Sequence, residues 1–152
     1  MTVSINVHDN GDVLELVSVC GSHGTHVAAI AAANFPDNPE KNGVAPGAQL
    51  VSLTIGDSRL DSLETGTAII RSIIQLMRWC EKGLKIHVIN MSYGEHAHWS
   101  NSGRVGELMS EAIDKYGIVF VAAAGNNGPA LCTIGTPPDI ASDNIIGKFL
   151  NM

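Results

Sequence analysis

Residues 117–128 read GIVFVAAAGNNG. The run from Ile118 to Ala124 is apolar at almost every position, and glycine-rich turns bound it on both sides. A strand with no polar alternation is buried on both faces, which is the signature of a parallel sheet between helices. Working outward from it, Val105–Tyr116 has helical spacing and is closed by Gly117, and Ile86–Met91 (IHVINM) is an earlier strand. Before that, Leu63–Cys80 carries Ile69, Ile70, Ile73, Ile74 and Met77 at helical spacing, with Gly83 as a stop. Leu50–Ile55 (LVSLTI) and Val13–Val19 (VLELVSV) are β-prone. The alanine-rich stretch from Thr25 to Asn34 is helical, and Phe35-Pro36 ends it. Gly43, Pro46 and Gly47 make NGVAPGAQ a turn cluster. Alternating strands and helices predict an α/β fold with a mostly parallel sheet.

In such sheets the ligand crevice lies beyond the carboxyl ends of the strands. Polar, glycine-rich residues follow each strand: Gly21-Ser22-His23, Gly56-Asp57, Ser92-Tyr93-Gly94-Glu95 and Gly125-Asn126-Asn127. That edge is the expected site.

Composition narrows the function classes. The 152 residues, 45% hydrophobic and 16% charged, suit one globular domain. The net charge of −6 and the lack of a basic run make nucleic acid and anionic membranes poor partners. No apolar run approaches the ~20 residues of a membrane span, and MTVSINVHDN lacks the basic start and apolar core of a secretory signal. Cys20, Cys80 and Cys132 stand apart with no CxxC, which suggests a reducing compartment and argues against structural zinc. The expected location is cytoplasmic. No GxGxxG or GxxxxGK[ST] follows a strand, so a nucleotide-binding reading is poor.

His23 and His26 admit three readings from the residues alone: a metal pair, a satisfied core detail, or a catalytic base with a neighbour. The HExxH pattern is absent and no third ligand is evident, although His96 and His98 are present. Asn126 reads equally as a turn residue or as a hydrogen-bond donor to a ligand, and Tyr93 as a packed aromatic or a pocket wall. For Glu64 and Glu95 the ordinary reading is a solvated charge.

HGTHVA at 23–28, NGVAPGA at 42–48, VINMSYG at 88–94 and VAAAGNNGP at 121–129, in this order, resemble the subtilisin-like serine peptidases. The resemblance implies a subtilisin-like three-layer fold, with the sheet between helices, and a hydrolase that uses neither metal nor cofactor. It assigns His23 as general base, a task an imidazole suits because it titrates near neutrality. Asn126 becomes the side-chain donor to the oxyanion, and Ser92-Tyr93-Gly94 the extended segment that pairs with substrate backbone. Residues 43–67 and 90–104 are most similar to the tripeptidyl-peptidase II branch, cytosolic exopeptidases that release tripeptides and form giant homo-oligomers. That branch holds the substrate's N-terminal ammonium with two glutamates, matched here by Glu64 and Glu95. The implied substrates are peptides with a free N-terminus.

The chain also departs from the family pattern. No D-[ST]-G motif precedes His23, and Asp9 and Asp12 lie outside such a motif. No GTSMA serine segment follows, and after DNIIG the chain reads KFLNM. The expectation is therefore a partial peptidase domain over 1–152, incomplete at both ends. Alone it is expected to be inactive and prone to aggregate through uncovered apolar surface. The alternative is a non-catalytic module that binds peptide N-termini.

Overall fold

A computed structural model describes residues 3–18, 21–57, 63, 64, 66–94, 103–125, 133, 135 and 145–148. The chain divides into two compact units, Met1–Thr65 and Gly66–Met152.

The first unit opens with a hairpin. Strand β1 (Val3–His8) pairs antiparallel with β2 (Val13–Ser18), with Val3 opposite Ser18 and His8 opposite Val13. The turn between them needs left-handed backbone: Asp9, Asn10 and Gly11 have φ of 49°, 56° and 106°. These residue types tolerate it best. Opposed residues share a face, so Val3, Ile5, Val7, Leu14 and Leu16 form an apolar side, all of it exposed. On the polar side Asn6 Nδ2 donates to Glu15 Oε2 at 2.9 Å, and His8 Nε2 lies 3.2 Å from the same oxygen.

Helix α1 (His23–Ala32) buries none of its side chains within this unit. Its last carbonyls have no intrahelical partners, and the NGVAPGA turn supplies them. Gly43 N donates to Ala33 O at 2.8 Å, Val44 N to Ile30 O at 3.0 Å and Ala45 N to Ala31 O at 2.8 Å. Asn42 Oδ1 accepts from Phe35 N at 2.6 Å and fixes the start of the return. The sequence suggests a strand at Leu50–Ile55, but these residues join no ladder, and Leu50 and Val51 are more than half exposed. β-propensity needs a paired neighbour to become a strand. Pairing begins one residue later, where β3 (Gly56–Asp57) runs antiparallel to β4 (Leu63–Glu64).

The second unit holds the parallel sheet. Helix α2 (Gly66–Glu81) starts after Leu63 and Glu64, which the sequence reading places in the helix and which belong to β4. Strand β5 (Val88–Met91), helix α3 (Gly103–Tyr116), strand β6 (Val119–Ala123) and strand β7 (Ile145–Lys148) follow. The strand order is β5-β6-β7, all parallel, with Asn90 opposite Val121 and Phe120 opposite Ile145. α2 packs on α3, and the core gathers Ile69, Ile73 and Leu76 with Met109, Ile113, Ile118 and Phe120. Phe120, Ala122 and Ala124 are buried, whereas Val88, Val119 and Ile146 on the opposite face remain exposed. Within this unit, then, one face of the sheet is covered.

Both long helices end as their glycines dictate. Gly83 has φ 94° and Gly117 φ 65°; Leu84 N reaches back to Trp79 O, and Ile118 N to Ile113 O. A Cβ at either glycine meets nothing, so only the backbone resists substitution. Gly83→Ala and Gly117→Ala are each expected to cost about 1–2 kcal/mol, measured by thermal unfolding. The helix ends are also tied together: Lys115 Nζ lies 3.3 Å and the Tyr116 hydroxyl 3.2 Å from Glu81 Oε1. Tyr116, then Glu81, raise the Lys115 ammonium above the usual lysine range. A raised base stabilises in full below its unfolded value and loses that contribution as pH climbs through the folded one. On so exposed a pair the effect is small.

Candidate active site

His23 is the first residue of α1, exposed, and preceded by Gly21 and Ser22. His26, one turn on, is also exposed and, with Gly21, Ser22 and Thr25, lines an open hollow. A Cβ at Gly24 meets nothing, whereas Gly43 lies close against the backbone at the end of α1. Glu64 lies in β4 opposite Gly56, in the same unit as His23. Among the described residues no group of three His, Cys, Asp or Glu is arranged to hold a metal ion.

The second unit supplies a sheet edge. Because β5 and β6 are parallel and Met91 lies opposite Ala122, both strands release the chain on the same side. Ser92-Tyr93-Gly94 therefore emerges beside Ala124-Gly125. Ser92 and Tyr93 are half-buried and Gly94 is exposed. Gly125, two residues past the end of β6, has φ 97°, a conformation that favours glycine. Gly135 N donates to Ala124 O at 3.1 Å. Asn126 and Glu95, expected at this edge, lie outside the described residues.

Of the four strand ends that the sequence gathers on one edge, the parallel sheet joins two. β2 belongs to an antiparallel hairpin and β3 to a separate short ladder, so Gly21–His23 and Gly56-Asp57 are not placed by that sheet. Sequence reasoning also passed over Asn90. Its signal was a polar residue inside the apolar run VINM, two positions before Ser92.

The model of the subtilase family matches residues 4–147, nearly the whole chain. The chain belongs to the subtilase family. Among relatives of this subtilase chain is Tripeptidyl-peptidase 2 of Drosophila melanogaster, 58% identical over 97% of the chain and 10% of that protein. Tripeptidyl-peptidase 2 of Oryza sativa subsp. japonica is 50% identical over 96% of the chain and 10% of its own length. A crystal structure of tripeptidyl peptidase 2 superposes with a TM-score of 0.88 at 59% identity, covering 95% of this chain and 12% of that one. The subtilase chain thus spans about a tenth of the length of these curated relatives. Its α/β fold is that of subtilisin-like proteins. The family match ends at Gly147, where the sequence reading had the resemblance give way to KFLNM. No helix among the described residues is long and apolar enough to cross a membrane.

Proposed function

We propose that this chain is part of the catalytic domain of a serine exopeptidase that releases tripeptides from the free N-termini of peptides. The observation that carries the reading is the 58% identity to a Tripeptidyl-peptidase 2 over 97% of the chain, a span that includes all four motifs. In this reading His23 takes the proton of a serine hydroxyl as it attacks the scissile carbonyl, then returns it to the leaving amine. Asn126 donates its side-chain amide to the oxyanion of the tetrahedral intermediate. A peptide lies along Ser92–Gly94 as an added strand, and Gly94 leaves room for its backbone.

Glu64 and Glu95 hold the substrate's α-ammonium. A charged stop at the non-prime end turns an open groove into a three-residue ruler. One such ion pair at ~4 Å near a surface is worth at most ~4 kcal/mol before desolvation. The serine and aspartate that complete the chemistry match no motif within these residues, so the 152 residues alone do not hydrolyse peptides. The acting protein is a cytoplasmic homo-oligomer; the scattered cysteines, of which Cys80 is free, fit a reducing compartment.

The test is a graft: the Drosophila enzyme with its aligned 147 residues replaced by those of this chain. The graft is expected to cleave a tripeptide amide. Glu64→Gln or Glu95→Gln should lower kcat/KM for free-amine substrates roughly 10- to 100-fold, the worth of a hydrogen bond to a charge. Activity on free-amine substrates should also decline above about pH 8 as the α-ammonium deprotonates. An inactive graft, or glutamate variants that cleave free-amine peptides unimpaired, would refute this reading. Binding of free-amine peptides without turnover would favour the non-catalytic module.

A further inference from the structure

We propose that Asn90 is a positioning residue that holds Ser92, and through it the Ser92–Gly94 segment, ready for the substrate's backbone. The assignment rests on the peptidase reading above and deepens it, because it concerns how the substrate-pairing segment is kept extended.

Three observations carry it. Asn90 lies within β5, between Ile89 and Met91, where an asparagine is out of place: its amide competes with the backbone ladder and strands are depleted in it. It is exposed, so it contributes nothing to the buried face formed by Phe120, Ala122 and Ala124. And its Nδ2 donates to Ser92 Oγ at 3.1 Å. Residues two apart on a strand share a face, so this bond continues the line of the strand across the point where the ladder ends. On one side of it Asn90 is locked opposite Val121 in the parallel register. On the other, Ser92 begins the segment that leaves the sheet.

The physical consequence is preorganisation. A segment that must accept a peptide as an added strand loses affinity if it first has to be ordered. Tying the Ser92 side chain to a residue already fixed in the sheet removes part of that cost before substrate arrives. The bond touches neither the reacting carbonyl nor the general base, so its loss weakens ground state and transition state alike. In kinetic terms KM rises while kcat holds.

The graft described above provides the assay, with Asn90→Ala, Ser92→Ala and the double variant. Asn90→Ala is expected to raise KM about fivefold, the worth of one hydrogen bond, with kcat within a factor of two. The double variant should be no worse than the poorer single one, because both remove the same bond. Thermal inactivation is followed in parallel. An active graft in which Asn90→Ala shortens the thermal half-life but leaves KM unchanged would overturn the assignment while leaving the peptidase reading intact. So would strictly additive effects of the two substitutions. An inactive parent graft would overturn the peptidase reading and this assignment together.

Discussion

Alanine at His23 is expected to abolish peptide hydrolysis by the grafted enzyme while leaving substrate binding in place. A serine hydroxyl is a weak nucleophile until a base within hydrogen-bond reach removes its proton, and the departing amine needs that proton back. One imidazole does both, so its removal disables both halves of the cycle. In subtilisin itself the loss is about 10⁶-fold in kcat, and a loss of that order is expected here. Asn126→Ala should lose less, about 10²–10³-fold, again the size known for subtilisin, because one oxyanion donor is removed and the nucleophile remains. His26→Ala separates the two histidines: His26 lies one turn further along α1 and faces a hollow with Gly21, Ser22 and Thr25. Its loss should leave kcat within tenfold. Steady-state kinetics on a tripeptide amide decides the matter. Retention of kcat in His23→Ala, or equal losses at the two histidines, would contradict the assignment.

Gly43→Ala is the substitution expected to damage the fold most. A Cβ at this position would lie 2.6 Å from Ala29 O, 2.7 Å from Ala32 N and 2.7 Å from Ala33 N. All three are backbone atoms of α1 or its cap, so no side chain can swing aside. The only relief is to lift the 42–45 segment off the helix. That breaks the bonds from Gly43, Val44 and Ala45 to the carbonyls of Ala33, Ile30 and Ala31. Three hydrogen bonds at about 1 kcal/mol each give a loss of about 3 kcal/mol, a sizeable share of the 5–15 kcal/mol that holds a typical domain. For a domain of 150–250 residues that corresponds to roughly 6–12 °C in Tm. Gly47→Ala, in the same turn but with nothing within 4 Å of the added Cβ, is the control and should change stability by less than about 0.5 kcal/mol. Thermal inactivation of the two grafted variants compares them directly. Equal behaviour would mean that the turn is not held against α1. Because α1 begins at His23, a loosened C-terminal end should also disturb the base indirectly.

Much of the second unit could be read from residues alone. IVFVAAA and IHVINM became β6 and β5, and Gly83 and Gly117 closed α2 and α3. Long apolar runs and left-handed glycines are local signals, and nothing distant overrides them. The first unit was less legible because its structure depends on partners. VLELVSV reads as a strand from composition alone, whereas its antiparallel neighbour VSINVH is not among the elements read from the sequence, although the DNG between them marks a turn. LVSLTI had the composition of a strand and no ladder to join. NGVAPGA was legible as a turn, but not as the cap of a helix that ends about ten residues earlier, since capping by a returning segment leaves no periodic trace.

The candidate site divides in the same way. The Ser92–Gly94 edge follows from strand ends and parallel pairing, so physical reasoning reaches it unaided. His23 stood among three open readings until the four motifs were taken together. Glu64 and Glu95 carry no physical mark that distinguishes them from solvated charges, and only resemblance singles them out. Asn90 was the reverse case, visible as an anomaly in its strand but given meaning only by its bond to Ser92.

The most direct test of the account is the identity of the first product. A defined peptide, with its N-terminus either free or acetylated, is given to the graft beside the parent Drosophila enzyme, and mass spectrometry reads what is released. The expected result is the N-terminal tripeptide from the free peptide and no cleavage of the acetylated one. Cleavage at internal bonds, equal cleavage of both peptides, or no product where the parent enzyme yields one would contradict it.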